Sequence, residues 1–447
     1  MRVPDIIVRT VCEPAWDLYE GSVRLRTLRE LRQSQWLPAA ALQARQEAGL
    51  QAMVRHAAAT SPFYRERFAA AGIDPAGVRT IADLAGLPLL TKQDVRGQLD
   101  EILSREFRKE DLVPAKTGGS TGVALHVFCD RRGVQQRNAA ALRADEWSGW
   151  RQGQPLAAVW GNPPVPRTLK NRIRTTFKDR IIYLDTMKID AAAIDCFLEQ
   201  WHAVRPGLLY GHAHSIYILA EALRGTGRAP RPAGIVATSM MLIQPEREVI
   251  EEVFGTRVTN RYGCEEVSLI ACECERHQGM HLNAEHAIVE FLRDDGTPCA
   301  PGQDGRIVVT ELVNRGMPML RYEVGDRGAP SDRVCPCGRG LPLMEGLSGR
   351  TADFLVAADG SKVAGISLIE NTLTRYPGIG QLQLVQERPL AVRAHVVRAP
   401  GWTDAVGEQL TAQLRAALGE GFAVDIVFVD AIAQEESGKY RFSICRI

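Results

Sequence analysis

The chain has 447 residues, 54 Lys plus Arg against 53 Asp plus Glu, a formal charge of +1, and 45% apolar and 24% charged residues. That length suits two or three domains with sizeable cores, and the even charge balance excludes a nucleic-acid footprint and an acidic disordered chain. Arg2, Asp5, Arg9 and Glu13 interrupt the first apolar run and no later run is long enough to span a bilayer, so a membrane span and a secretory signal are not expected and the cytoplasm is the expected location.

Residues 15 to about 75 read as helices, with Leu50, Met53, Val54 and Ala57 recurring at three- and four-residue steps and Pro38 and Pro62 as punctuation. Leu87 to Lys92 reads as an extended entry into a helix capped by Thr91. From 111 to 345, runs rich in β-branched residues at 156–160, 181–184, 207–211, 234–238, 257–263, 287–292 and 306–312 alternate with helical patterns at 191–203, 213–224 and 245–254. This predicts an α/β domain on a largely parallel sheet, with a more antiparallel portion where the later strands crowd together. Beyond Gly349 the texture changes to short strands at 381–386, 391–397 and 424–429 around a helix at 403–418, which predicts a separate small α+β domain.

Five motifs carry chemistry. Thr117, Gly118, Gly119, Ser120, Thr121 and Gly122 form a hydroxyl- and glycine-rich loop able to surround phosphate oxygens. The same letters satisfy G-x-S-x-G, so a serine hydrolase using Ser120 is the competing enzyme reading; the alternating Val123 to Phe128 that follows predicts a strand, not the helix that a nucleophile elbow requires. Tyr262-Gly263-Cys264-Glu265-Glu266 offers an aromatic face for a purine and a carboxylate for Mg²⁺. Asp326, after Gly325, can accept from ribose hydroxyls; Arg350 stands where the composition shifts; and Lys439, in Ser437-Gly438-Lys439, can stabilise developing phosphate charge.

The order and spacing of these motifs resemble the adenylate-forming superfamily, and within it the phenylacetate-coenzyme A ligase and CapK branch, through TGGSTG, SGKYRF, LPLLTKQDVR and the CPCGRGLP segment. The resemblance implies a large N-terminal α/β adenylation domain, residues 1–350, and a small mobile α+β C-terminal domain, residues 351–447. It implies ATP on the 117–122 loop, Tyr262 on adenine, Mg²⁺ on Glu266, Asp326 and Arg350 on the ribose, and Lys439 as catalytic lysine, with Thr121 and Glu266 beside it in catalysis. The implied reaction joins a small-molecule carboxylic acid to ATP as an acyl-adenylate and transfers the acyl group to a thiol, with coenzyme A expected and a carrier protein or a capsule sugar as alternative acceptors. Tyr210, His212 and Met240, together with His214 and Tyr217, are the candidates for the acyl pocket, and the sequence is compatible with an oligomer.

The chain has ten cysteines, among them the pairs Cys272/Cys274 and Cys335/Cys337. In a long chain read as cytosolic, such spacing points to metal before disulfides. Cys274-x-x-His277 with Cys335-x-Cys337 meets the requirement of a four-ligand structural zinc site, and Pro336 and Gly338 suit the turn that a C-x-C pair needs. Similar elements stand at matching places in the CapK-like branch. Cys272 and His281 are the alternative ligands.

Overall fold

The computed structural model describes residues 3–116, 125–160, 168–186, 190–350, 354–360, 362–376, 378–433 and 441–447. Its centre is an eleven-stranded sheet. Five strands run parallel in the spatial order Ile181–Asp185, Leu156–Trp160, Leu208–His212, Gly234–Thr238 and Val258–Cys264. All five residues of Gly234–Thr238 are buried, as expected of a parallel strand covered on both faces. The amphipathic helices Ala191–Val204, Ala213–Leu223 and Gln244–Phe254 supply the cover, with Phe197, Ile216, Leu219, Ile250 and Phe254 meeting the strands in one apolar cluster.

At Val258–Cys264 the sheet changes character. This strand is parallel to Gly234–Thr238 on one side and antiparallel to Ser268–Glu273 on the other. The antiparallel run continues through Met280–Leu282, Leu343–Arg350, Tyr322–Ser331, Gly305–Glu311 and Ala287–Leu292. Helix Ala39–Thr60 buries Leu50, Met53, Val54 and Ala57 against this half, the stripe that its sequence spacing predicts. Thr91 caps the helix Lys92–Gly97 in a reciprocal box with Asp94. Just before it, extended Leu90 exchanges backbone hydrogen bonds of 2.9 Å with Arg321 and Glu323, which docks the segment on the strand carrying Tyr322.

The carboxy-terminal residues build a second, four-stranded sheet in the order Ala423–Phe428, Ala391–Arg398, Ile379–Arg388 and Ser443–Cys445. Three of those strands and helix Asp404–Leu418 follow the sequence pattern; helix Gly365–Arg375 and the short strands Phe354–Val356, Lys362–Ala364 and Ser443–Cys445 add to it. Its core is distinct from those of the large sheet, but Ile243, Met240 and Met241, in the loop after Gly234–Thr238, pack into it. Among the described residues no helix is long and apolar enough to cross a membrane.

Candidate active site and metal cluster

The antiparallel turn after Val258–Cys264 gathers the predicted nucleotide residues. Strand Ser268–Glu273 approaches so closely that a Cβ on Gly263 would lie 2.4 Å from the Ser268 carbonyl oxygen, so only glycine fits there. The pairing register shifts between Tyr262 and Gly263, which lets the chain turn and bury Glu266. The Tyr322 hydroxyl donates to Glu266 Oε1 at 2.8 Å. Burial, and next to it the Glu266 carboxylate, push the Tyr322 phenol far above its usual range, so it remains a donor. Arg137 Nη2 donates to the Glu266 carbonyl at 2.7 Å while its Nε and Nη2 grip Glu311 at 2.7 and 2.6 Å.

Tyr262 and Asp326, 64 residues apart, meet directly, the Tyr262 hydroxyl donating to Asp326 Oδ2 at 2.9 Å. Asp326 is in turn the cross-strand partner of Arg350. Thus Tyr262, Glu266, Asp326 and the Arg350 backbone, scattered in sequence, share one sheet region. The side chain of Arg350, the whole of Thr117, Gly118, Gly119, Ser120, Thr121 and Gly122, and Lys439 lie outside the described residues. On either side of the 117–122 segment, strands Val113–Lys116 and His126–Cys129 pair antiparallel with Lys116 opposite His126. A strand therefore follows Ser120, as the alternating sequence predicts, where a nucleophile elbow would have a helix.

Beside these residues lies a cavity of ≈ 370 Å³ whose described walls include Trp160, Tyr210, Arg261, Tyr262, Cys264 and Glu265. Of the acyl-pocket candidates, Tyr210 is in the wall. His212, at the end of strand Leu208–His212, is buried behind Trp160 with ring centroids 4.1 Å apart. Met240 packs between the helices of the large sheet and the carboxy-terminal core. His214 opens helix Ala213–Leu223 and pairs through Nδ1 with Glu246 Oε1 at 2.5 Å, its ring 5.6 Å from Tyr217 and 5.0 Å from Phe442. None of His212, His214, Tyr217 and Met240 is among the described residues of that wall.

Arg261 was not anticipated by the motifs. Its Nη1 donates to Asp145 Oδ1 and its Nη2 to the Tyr210 hydroxyl oxygen, both at 2.6 Å. The available signal was a lone arginine inside an otherwise strand-like run, which needs a buried counter-charge.

The metal reading requires a correction. Cys274, His281, Cys335 and Cys337 converge, their ligand atoms all within 4.8 Å of one another. Cys274 and Cys335 sulfurs are 3.6 Å apart, and His281 Nε2 lies 3.3 Å from Cys337 Sγ. His277, expected as the fourth ligand, instead pairs through Nδ1 with Glu273 Oε2 at 3.2 Å. The reason is local: His277 takes a positive φ of 51° in the turn between strands Ser268–Glu273 and Met280–Leu282. Glu273 points to the face opposite Cys272 and Cys274, and His281 lies across the ladder from Cys272, on the cysteine face. Cys272 stays in the apolar core and outside the cluster.

The cluster has the features of a ligand set. His281 Nδ1 donates to the Leu341 carbonyl at 3.2 Å, which leaves the Nε2 lone pair toward the sulfurs. Backbone N–H groups of Arg276 and Arg339 donate to the Cys274 and Cys337 sulfurs at 3.4 Å. Burial raises the Cys337 thiol, but the Arg339 backbone and side chain outweigh it and hold the thiol below its usual value. Three soft sulfurs and one imidazole at these separations fit tetrahedral zinc.

Residues 355–446 match the family model of the CapK C-terminal domain. Phenylacetate-coenzyme A ligase from Thermus thermophilus is 27% identical over 327 residues, 72% of this chain and 73% of that protein. Protein CapK from Staphylococcus aureus is 22% identical over 376 residues, 82% of this chain and 81% of that one. Among solved structures, a 2-hydroxyisobutyryl-CoA ligase in its postadenylation state covers 92% of this chain and 90% of its own at 20% identity, with a TM-score of 0.74. The same ligase in its thioesterification state gives 0.61. The chain thus has the fold of the adenylate-forming ligases, is similar in sequence to phenylacetate-coenzyme A ligases and CapK, and matches the model of the CapK C-terminal domain over residues 355–446.

Proposed function

We propose that this chain is an ATP-dependent ligase that activates a carboxylic acid as its acyl-adenylate and transfers the acyl group to a thiol, with coenzyme A as acceptor. The observation that carries the reading is the meeting of Tyr262 with Asp326 and of Tyr322 with Glu266 beside one cavity. A carboxylate fixed by a tyrosine hydroxyl, next to an aromatic ring and a ribose-binding acid, is an arrangement for holding a nucleotide and its divalent cation.

In the first step a carboxylate oxygen attacks the α-phosphorus of ATP, the bond to the β-phosphate oxygen breaks, and pyrophosphate leaves. The attacking carboxylate is already ionised, so no general base is needed, and positioning and charge stabilisation supply the rate. Tyr262 supports adenine, Asp326 and Arg350 take the ribose hydroxyls, and Thr117 to Gly122 receive the phosphates. Glu266 would hold Mg²⁺, which would supply positive charge to offset that of the phosphates. Lys439 stabilises the charge shared between carboxylate and α-phosphate. In the second step the thiol sulfur attacks the acyl carbonyl carbon and AMP leaves with the electron pair.

The division into residues 1–350 and 351–447 belongs to this reading, with the smaller part turning between the steps to withdraw Lys439. Zinc at Cys274, His281, Cys335 and Cys337 would be structural, since four protein ligands complete a tetrahedron and leave no place for substrate. A cytoplasmic setting goes with a reaction that draws on ATP and coenzyme A, and all ten cysteines are free. Carboxylate-dependent ATP-pyrophosphate exchange across a panel of acids tests the reading; no exchange with any acid, alongside esterase activity lost in Ser120→Ala, would overturn it.

A further inference from the structure

No residue of the helix Leu169–Arg174 is buried. Thr168 caps it, the hydroxyl oxygen accepting from the Asn171 N–H at 3.1 Å, and a wider helical turn, Thr175–Asp179, carries it on to Arg180. Arg180 Nη1 anchors the far end on Asp5 Oδ1 at 2.9 Å and on the Gly153 carbonyl at 3.0 Å. Between cap and anchor, residues 168–177 are all exposed. So short a helix is marginal alone and ordinarily persists by burying an apolar stripe. Here the stripe exists but faces outward: Leu169, Ile173 and Phe177, at i, i+4 and i+8, are 74, 43 and 44% exposed.

The amino-terminal segment beside it adds to this surface. Lys170 Nζ pairs with Glu20 Oε1 at 3.1 Å and lies 5.2 Å from the centre of the Tyr19 ring and 5.8 Å from that of Trp16. Leu18 and Tyr19 are themselves 85 and 73% exposed. Of the fifteen large hydrophobic residues exposed among the described residues, eight fall within 6–19 and 169–177, a concentration that marks an interaction surface and not scattered apolar side chains. The charge flanking the stripe is positive: from Thr168 to Arg180 the sequence has five cations and one acid. Lys170, Arg172 and Arg174 are exposed, and Arg172 has no ion-pair partner among the described residues. The pairs Lys170–Glu20 and Arg174–Asp179 are open to solvent, where such pairs are weak enough to yield to another anion.

We propose that this face seats the protein on an anionic bilayer surface, with Leu169, Ile173 and Phe177 entering the headgroup boundary and Lys170, Arg172 and Arg174 meeting lipid phosphates. A basic amphipathic helix with tyrosine and tryptophan beside it has the composition of an interfacial element. The helix stands out as a ridge, and a fluid bilayer needs no matching contour to receive one. Two-fold pairing with a second copy would instead bring the same cations against one another. Tyr19 and Lys170 also line a cavity of ≈ 690 Å³ that shares Val113, Val134 and Asn138 with the cavity beside Tyr262, so docking sets the lipid surface next to the candidate active site. The proposal does not depend on the ligase reading, whose failure would leave it intact.

The test is cosedimentation of the full chain with vesicles of phosphatidylcholine alone and with about 30% phosphatidylglycerol, at about 0.1 M salt. The expected result is at least about fivefold more protein bound to the anionic vesicles, most of it released at about 0.5 M salt. The double variant Leu169→Glu, Phe177→Glu should bind about tenfold less with an unchanged melting temperature, because both side chains are exposed. If that variant does not fold, Arg172→Glu takes its place, with a smaller loss of about threefold expected. Equal binding to both vesicles, binding indifferent to salt, or a folded variant that binds as wild type does would each overturn the proposal. So would no binding to either vesicle; a dimer that the double variant then converts to monomer would assign the face to a second copy of the chain.

Discussion

Tyr322 and Glu266 are both buried, and the 2.8 Å hydrogen bond from the Tyr322 hydroxyl to Oε1 sets the orientation of the Glu266 carboxylate. Tyr322 thereby holds one carboxylate oxygen, and the neighbouring Cys264 thiol also hydrogen-bonds this carboxylate. Glu266→Gln keeps the shape and removes the charge, so ATP-pyrophosphate exchange should fall by about 10²- to 10³-fold with little change in melting temperature. Tyr322→Phe removes only the orienting bond; a rise of roughly tenfold in the Mg²⁺ concentration for half-maximal exchange is expected. Exchange in Glu266→Gln within a few-fold of wild type would remove this residue from the nucleotide site.

The chain just after Lys439 is well anchored. The Arg441 carbonyl accepts from Gln383 Nε2 at 2.6 Å, and Phe442 enters the carboxy-terminal core and meets His214 edge-on at 5.0 Å. A lysine required only for the first step should then be separable from the second. In Lys439→Ala, exchange should be lost while transfer from supplied acyl-adenylate to coenzyme A continues at a comparable rate. Equal loss of both half-reactions would refute that division of labour.

The metal reading predicts about one equivalent of zinc per purified chain. Cys335→Ser and His281→Ala should each lose it and lower the melting temperature, whereas His277→Ala should keep it, because His277 pairs with Glu273 and not with the sulfurs. The cluster braces the amino-terminal helices as well: Arg339, two residues after Cys337, has its guanidinium carbon 4.8 Å from the Trp36 ring centre and 4.9 Å from that of Trp147. Loss of metal should therefore expose tryptophan fluorescence to quenchers. Retention of zinc in His281→Ala with loss in His277→Ala would reverse the ligand assignment.

Much of this was legible in the sequence because the signals are local. The parallel strands announce themselves by β-branched runs, and Thr91 by a cap three residues before Asp94. The choice between His277 and His281 was not local: spacing from Cys274 favours the nearer histidine, while the ladder that sets Cys272 opposite His281 decides for the farther one. The bond between Tyr262 and Asp326 and the links from Arg261 to Asp145 and Tyr210 join four separate elements, and such encounters depend on the order of strands in the sheet. Helix Gly365–Arg375 was missed because it lies among short strands, where a single helical pattern is easily read as connection.

Acid should destabilise the fold through His286. This side chain is buried, and its Nδ1 has no hydrogen-bond partner among the described residues. Burial pulls its pKa down to about 4; Glu285 opposes the shift and Arg143 adds to it. The unfolded chain protonates the same histidine near its ordinary value of about 6.5, so between that pH and about 4 the unfolded state binds more protons. Stability is thus unaffected by this group above about pH 6.5 and falls as the pH drops below it. The loss due to His286 between about pH 7.5 and about pH 5 is on the order of 2 kcal/mol. His286→Gln cannot take up the proton, so its urea midpoint should fall less between those two pH values than that of wild type. An equal fall in both proteins would mean that the acid sensitivity arises elsewhere.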